Sequence, residues 1–358
     1  MRYMIYADPH WSSYSSIVRS RGNKYSTRLE NLLNTINWIE HTANEQNCDA
    51  IICLGDFFDK CDLNSEELTA LQEINWSYLR HYFITGNHEM GRGNLEFSSA
   101  HLFNLCPNTY TISGVSCISD DEHDTNIVFL PYILELNRKP LIEYLKPFKD
   151  KKNIIVMSHN DISGIQMGQY VSKDGFSIEE IENECTLFIN GHLHNGTTVG
   201  QNIINLGNLT GQNFSEDAFK YKHKCMILDT GNHSVSYIDN PYAFNFYKLD
   251  FSNYQNDEQS RAEIVKTISS LDNNAIITVK CNQDTIDFVR DIINNTAFII
   301  ESRIILDLSN SDKISEESLL EDNLSINHIT KFVDYIKSEV GTSELIIDEL
   351  NQVVGMTV

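Results

Sequence analysis

The chain has 358 residues, of which 41% are hydrophobic and 22% are charged, and its formal net charge at pH 7 is −23. These proportions are ordinary for a globular protein and exclude an intrinsically disordered chain. The acidic balance argues against binding to nucleic acid through overall positive charge, because phosphate contacts reward lysine and arginine.

The sequence predicts a cytoplasmic protein with no membrane partner. No run approaches the roughly 18 apolar residues of a membrane span, and Asp8 comes too early for a signal peptide. The eight cysteines contain no C-x-x-C pair. This spacing favours reduced thiols over a zinc ribbon or a disulfide framework.

Residues 1–240 alternate short apolar runs with amphipathic stretches. Helices are predicted over 26–47 and 64–79, and the first has leucine and isoleucine at three- and four-residue spacings. The strand-like runs are MIYA, AIICLG, YFITG, NIVFLP, NIIVMSH, LFING, IINLGN, CMILDT and VSYID. This order predicts an α/β domain of sheets flanked by helices.

The pattern changes after Asn240-Pro241. Three apolar runs, FNFYKLDF, AIITVKC and FIIESRIILDL, are separated by predicted helices near 257–270 and 284–295. A small α/β domain is therefore predicted over 241–311. Residues 312–358 are predicted to form a helical tail. Between residues 312 and 350, the sequence contains ten acidic residues and three lysines. That tail either packs on its own protein or binds a partner.

Five polar clusters each follow an apolar run. They are D-P-H at 8–10, G-D-F-F-D at 55–59, G-N-H-E at 86–89, S-H-N-D at 158–161 and G-H-L-H at 191–194. An α/β scaffold gathers distant residues into one crevice in this way. Taken alone, D-P-H is compatible with a simple turn as well as with a pair of metal ligands. An extended chain there would point Asp8 and His10 to the same side, and Pro9 is expected to keep Asp8 extended.

The clusters supply too many metal ligands for one zinc ion. The seven candidate donors are Asp8, His10, Asp56, Asn87, His159, His192 and His194. They suit two divalent ions that share a carboxylate. Manganese or iron fits carboxylate with imidazole, whereas magnesium alone would need fewer histidines. Such a site is locally positive, so it can attract phosphate to an acidic protein, and both ions can activate a water as nucleophile.

A proton donor for the leaving oxygen is also needed. His88 is the histidine of these clusters that is left without a metal role, so we expect it to act as general acid. Asp59 is expected to orient His88 through a hydrogen bond.

A basic cluster follows the first motif. Arg19, Arg21, Lys24 and Arg28 lie in a stretch without acidic residues. They are candidates for contacts to DNA phosphates, although an exposed loop that is merely basic is equally compatible.

The five clusters resemble the signature motifs of calcineurin-like metallophosphoesterases. This resemblance implies a layered β-sandwich flanked by helices, with Asp8, His10, Asp56 and His194 on one ion. It places Asp56, Asn87, His159 and His192 on the other ion, with Asp56 as the bridge. Many relatives have histidine where this chain has Asp59, which weakens the assignment of that residue.

Within that superfamily the chain resembles SbcD-type DNA repair nucleases, including recombination endonuclease subunits of tailed phages. The crossing at Asn240-Pro241, the small α/β segment, which resembles a capping domain, and the helical tail support this resemblance. It implies manganese-dependent exonuclease and endonuclease activity, a homodimer, and an SbcC-type coiled-coil ABC ATPase as partner. A phage-encoded chain would act in the host cytoplasm.

Two other functions are compatible with the sequence. The same bimetal site could serve a phosphatase or a cyclic-nucleotide phosphodiesterase, although Lys60-Cys61 stand where protein phosphatases usually have Arg-Gly. A scaffold that tethers DNA without catalysis is the third possibility, and the complete donor set argues against it.

Overall fold

Two six-stranded sheets form the centre of the fold. The computed structural model describes residues 1–14, 24–76, 78–167 and 170–307. The predicted helical tail lies outside these residues, as do Arg19 and Arg21.

The first sheet carries three of the five motifs at one edge. Its strands lie in the order Ser234–Asp239, Lys224–Asp229, Arg2–Tyr6, Ala50–Cys53, Arg80–Ile84 and Thr109–Ile112. The last four are mutually parallel, and the first two pair antiparallel. Because parallel strands end at the same edge, D-P-H, G-D-F-F-D and G-N-H-E come together there.

The second sheet carries the other two motifs. Its order is Thr197–Val199, Ile203–Asn205, Leu187–Asn190, Asn153–Ser158, Thr125–Leu130 and Ser116–Asp120. The four central strands are parallel. S-H-N-D and G-H-L-H therefore also lie at one edge of this sheet.

Helices cover the outer faces of both sheets. The α-helices are α1 Thr27–Glu45, α2 Ser65–Leu71, α3 Leu141–Leu145, α4 Ile178–Glu184, α5 Glu258–Ser269 and α6 Ile286–Asn294. Tyr3 and Ile5 face the second sheet, whereas Met4 and Tyr6 face the layer of α1 and α2. This alternation buries both faces of the strand, so its residues are continuously apolar. The predicted layered α/β sandwich is confirmed.

The prediction for α2 is too long. The helix begins with a capping box between Asn64 and Glu67 and ends at Leu71, although the prediction extends to residue 79. Ile74 and Trp76 continue the apolar pattern because they are buried in the core without being helical. Trp76 packs edge-on against Phe83 there.

A third sheet follows residue 240. Its strands Asn245–Phe251, Ala275–Cys281 and Ile299–Leu306 are parallel, and α5 and α6 form the crossovers between them. These five elements match the predicted ones and enclose a hydrophobic cluster of their own. Residues 1–306 together form one compact unit. The domain boundary at Asn240-Pro241 stays a prediction.

Several short elements have no counterpart in the prediction. In the two large sheets they are the strands Thr109–Ile112, Ser116–Asp120 and Thr197–Val199, together with helices α3 and α4. The others are the strand pairs Met90–Gly91 with Asn94–Ser98, Ile162–Ser163 with Phe176–Ser177 and Gln166–Met167 with Tyr170–Val171, and the 3₁₀ turns Ser99–Leu105, Glu135–Asn137 and Lys146–Phe148. The cysteines are free thiols. Within the described ranges, no helix has both the length and the apolar content needed to cross a bilayer.

Candidate metal centre

The five motif loops meet in one cluster of acidic and imidazole side chains. Asp8, Asp56 and His159 are almost completely buried in it. In one group, the ligand atoms of Asp8, His10 and His194 all lie within 4.8 Å of one another. Asp56 with His159 and His192 forms another group of the same kind. The structure thus brings together the side chains that the sequence predicts as ligands.

Asp56 lies between the two halves of the cluster. Besides the group with His159 and His192, it also forms a third group with His10 and His88. The bridging position expected for this carboxylate is compatible with that placement.

The ring of His159 shows why a cation fits. Its Nδ1 donates to the carbonyl of Leu54 at 2.8 Å. Nε2 faces Asp56 Oδ2 at 3.1 Å and Asn87 Oδ1 at 3.2 Å. Burial would lower the pKa of His159, but the charge of Asp56 outweighs it and raises that pKa to about 9, so without a metal Nε2 carries a proton at pH 7. A divalent ion can take the place of that proton, because Nε2 and the two oxygens then converge as three electron-pair donors on one point.

In the other half of the cluster, two imidazole nitrogens face each other. His10 Nε2 and His194 Nε2 are 3.1 Å apart. Burial, together with the neighbouring charge of His10, lowers the pKa of His194 to about 3, so this ring is neutral at pH 7. Oxygen and imidazole donors without thiolate suit a divalent ion of intermediate hardness in both halves.

The two buried aspartates respond differently to this environment. Burial would raise the pKa of Asp56, but the adjacent His159 outweighs it and holds that pKa well below its usual range. For Asp8, burial dominates over His159 and raises the pKa. Cations in the cluster would keep both carboxylates ionised.

The backbone at the ligands is strained. The φ angles are 50° at Asp8, 49° at His10, 47° at Asp56 and 71° at His192, all in the left-handed region. Non-glycine residues enter this region at a cost of about 1–2 kcal/mol each. The prediction that Asp8 and His10 leave the strand in extended form is therefore wrong. Tertiary hydrogen bonds, such as His10 N to Asp56 O at 3.1 Å, hold the turn instead.

Three motif glycines are required by close approach to ligands. A Cβ at Gly86 would lie 2.1 Å from Asp56 Oδ1, and one at Gly55 would lie 2.3 Å from His159 Nδ1. A Cβ at Gly191 would lie 3.1 Å from Asp8 Oδ2. These residues leave room for the ligand side chains, which no larger residue could do.

His88 lies at the open side of the cluster, with its side chain 43% exposed. Its Nδ1 donates to the main-chain carbonyl of Asp59 at 3.0 Å. The Asp59 carboxylate is 3.8 Å from that nitrogen but 3.2 Å from His10 Nδ1. Asp59 thus accepts a hydrogen bond from His88, as expected, but the acceptor is its main-chain carbonyl, because its carboxylate turns toward His10.

Two further acids belong to the site. Glu89 is buried and accepts from Gly86 N at 2.9 Å and Phe58 N at 3.1 Å, so it joins two motif loops. Burial, followed by repulsion from Asp56, raises the pKa of Glu89 to about 8. Asp161 Oδ1 lies 3.1 Å from His192 Nε2. Glu89 is the last residue of the motif G-N-H-E, and Asp161 is the last residue of S-H-N-D. Their position inside the motifs is the sequence signal from which both could have been predicted as site residues.

The basic cluster is divided by the structure. Lys24 is exposed and pairs with Glu73. Arg28 is only 2% exposed and donates to the carbonyls of Gly211 and Pro9. The expectation that Arg28 contacts DNA phosphates is therefore wrong, because its guanidinium is buried. Trp11 is also buried, stacked on Phe57.

Comparison with solved structures finds similar chains of low sequence identity. TT1561 of Thermus thermophilus is 9% identical, with a TM-score of 0.40, over 66% of this chain and 98% of its own. The phosphoesterase YfcE from E. coli is 10% identical, with a TM-score of 0.32, over 67% and 100%. A dimetal phosphatase from Danio rerio is 12% identical, with a TM-score of 0.39, over 67% and 99%.

No curated protein sequence matches this chain significantly. The family model for calcineurin-like phosphoesterases matches residues 1–196, which include all five motif loops. Members of this family typically bind two divalent metals, in agreement with the paired donor groups. The chain belongs to the calcineurin-like phosphoesterase family.

Proposed function

We propose that this phosphoesterase is a manganese-dependent DNA nuclease with exonuclease and endonuclease activity. We further propose that it is the nuclease subunit of an SbcCD-like complex in DNA repair and recombination. The observation that carries the proposal is the third sheet, which extends beyond the family match and attaches beside the metal cluster.

The attachment involves the loop over 206–223. Asn208 N donates to the carbonyl of the ligand His194 at 3.1 Å. Further along the same loop, Ala218 N donates to Phe246 O at 2.6 Å, and Lys248 Nζ donates to Ser215 O at 2.8 Å. A polymeric substrate that reaches past the metals would meet this additional surface, which a small phosphomonoester does not need.

Arg303 adds a cation to that surface. Its guanidinium lies 3.8 Å from the centre of the Phe214 ring, which packs on Phe246. On this surface, Arg303 and Lys248 would provide the local attraction to phosphate that the net charge of the chain does not.

The chemistry follows from the arrangement of the side chains. Two bound divalent ions would activate a water and polarise the phosphoryl oxygens. His88 Nδ1 donates to the Asp59 carbonyl, so in the imidazolium form the second N–H, at Nε2, can give its proton to the leaving oxygen and leave the neutral ring. The main-chain N–H of His88 donates to Asp56 Oδ1 at 2.9 Å and fixes the proton donor relative to that carboxylate.

The test uses the purified full chain with Mn²⁺, Mg²⁺ or Fe²⁺ and end-labelled linear and hairpin DNA. We expect DNA cleavage that is fastest with Mn²⁺ and is lost in Asp56→Asn. Parallel assays use a phosphoprotein and cyclic nucleotides. Rapid turnover of either substrate, with DNA uncut, would replace the proposal with a phosphatase or phosphodiesterase. A protein that takes up no Mn²⁺ by elemental analysis would instead favour a non-catalytic DNA tether.

The partner proposal needs its own experiment. A homodimer should appear by light scattering, and an SbcC-type ATPase should co-purify with the full chain. Deletion of residues 312–358 should abolish the co-purification and leave cleavage of short DNA intact. An unchanged complex after that deletion would assign ATPase binding to another part of the chain.

A further inference from the structure

Arg28 is a buried charge that neither the metal chemistry nor the proposed DNA contacts use. It is the second residue of α1, and its side chain points into the protein. Nη2 donates to the carbonyl of Pro9 at 3.1 Å, and Nη1 donates to the carbonyl of Gly211 at 2.9 Å. Both hydrogen bonds go to main-chain carbonyls, so the guanidinium holds backbone rather than pairing with a carboxylate.

The carbonyl of Pro9 belongs to the Pro9–His10 peptide, which lies between the two ligands of the first motif, Asp8 and His10. The N–H of this peptide is that of His10, and it donates to Asp56 O at 3.1 Å. The peptide is thus held at its oxygen by Arg28 and at its nitrogen by the G-D-F-F-D loop. These two hydrogen bonds determine the direction of the peptide plane.

The orientation of this peptide matters because the backbone on both sides of it is strained. Asp8 and His10 have φ angles of 50° and 49°. Such conformations persist only where the surrounding structure over-determines them. Pro9 has no N–H, so its carbonyl is the main-chain polar group through which this residue can be held.

The other hydrogen bond of Arg28 anchors the guanidinium at the base of the third sheet. Gly211 N donates to Phe244 O at 3.1 Å, one residue before the first strand of that sheet. A Cβ at Gly211 would lie 2.3 Å from Phe244 O. The anchor therefore keeps contacts of its own when Arg28 is changed.

We propose that Arg28 is a positioning residue that orients the Pro9–His10 peptide and thereby sets the geometry of the Asp8, His10 and His194 half of the metal centre. The inference rests on the metal centre of the proposed function and does not require DNA to be the substrate.

The experiment is a calorimetric titration of Mn²⁺ into metal-free full chain and into Arg28→Gln. The wild type should bind two ions. In the variant, one of the two affinities should fall roughly ten- to a hundredfold, as for other groups that orient metal ligands, while the other is unchanged. Two wild-type affinities in Arg28→Gln would overturn the proposal, whatever happens to activity.

A matched control separates positioning from general stability. Asn240 is buried and donates to Leu209 O at 2.9 Å, in the same loop as Gly211. Its other side-chain hydrogen bonds go to Thr35 and Tyr242. Asn240→Ala should lower the thermal midpoint and keep both Mn²⁺ affinities. Equal loss of both affinities in the two variants would assign Arg28 a merely structural role and overturn the proposal.

A second variant covers the case in which Arg28→Gln does not fold. Arg28→Lys keeps the charge but lacks the planar fork that reaches two carbonyls. We expect the same selective loss, reduced in size, and wild-type affinities in Arg28→Lys would contradict the proposal. Wild-type protein that binds two Mn²⁺ but leaves DNA uncut would contradict the nuclease proposal and leave the proposal for Arg28 unaffected.

Discussion

At the scale of single residues, His88 is the group whose exposure and orientation suit proton transfer. His88→Ala should lower DNA cleavage by about 10²- to 10⁴-fold, because a positioned acid contributes that much. Mn²⁺ uptake should persist, because none of the seven candidate metal ligands is changed. Cleavage of end-labelled DNA and elemental analysis measure the two effects. Wild-type cleavage by His88→Ala would remove the general acid role.

Asp59→Asn is the matched control for His88. The main-chain carbonyl that orients His88 remains in this variant, so cleavage should fall far less than in His88→Ala. A loss as large as that of His88→Ala would show that the carboxylate itself is needed, either through His88, 3.8 Å away, or through the ligand His10, 3.2 Å away.

Gly86 offers a direct test of space beside the bridging carboxylate. Gly86→Ala places a Cβ 2.1 Å from Asp56 Oδ1, so the carboxylate must move. We expect at least about tenfold weaker Mn²⁺ binding by calorimetry. In the control Gly114→Ala, no heavy atom beyond the adjoining residues lies within 4 Å of the new Cβ, so Mn²⁺ binding should not change. Unchanged binding in Gly86→Ala would refute the steric argument.

Residue types at strand ends were sufficient to predict which side chains meet. They were not sufficient for the details that depend on tertiary hydrogen bonds. The left-handed backbone of Asp8, the rotation of the Asp59 carboxylate toward His10 and the burial of Arg28 all arise from contacts between distant segments. A local pattern carries no information about such contacts.

At the scale of elements, the central strands were predictable because burial on both faces makes them continuously apolar. The less buried strands Thr109–Ile112, Ser116–Asp120 and Thr197–Val199 were not predicted. The helix that ends early, α2, and the polar strand Asn94–Ser98 show the limit of this rule. Ile74 is buried without being helical, so the apolar pattern extends past the end of α2. The residues of Asn94–Ser98 are not buried, so no apolar pattern marks this strand.

Asp120 joins the two central sheets at the end of the strand Ser116–Asp120. It accepts from Thr230 Oγ1 at 2.6 Å and from His123 Nδ1 at 2.9 Å. Burial alone would raise the pKa of Asp120, but these hydrogen bonds outweigh it and hold the pKa well below its usual range. The ionised carboxylate therefore stabilises the fold above about pH 4, and this stabilisation is lost as the pH falls further.

Asp120→Asn should lower the free energy of unfolding by about 1–3 kcal/mol at pH 7. The difference from wild type should shrink as the pH falls below about 4, because the unfolded wild-type chain then binds a proton at Asp120 that the folded protein takes up only at lower pH. Urea unfolding at several pH values measures it. The exposed neighbour Asp121 is the control, and Asp121→Asn should change stability by less than about 0.5 kcal/mol. A difference that is constant with pH would contradict the role of the Asp120 charge.

At the scale of the whole molecule, the motif loops from both sheets place several acceptor groups in one buried cluster. Mn²⁺ that binds the folded chain alone stabilises it by about 2.7 kcal/mol at a hundredfold excess over Kd and about 4.1 kcal/mol at a thousandfold excess. The thermal midpoint of EDTA-treated protein should therefore rise by several degrees when Mn²⁺ is added. Asp56→Asn should respond much less, because it loses the carboxylate that lies between the two donor groups. Equal midpoints with and without Mn²⁺ in the wild type would show that the buried cluster does not hold this metal.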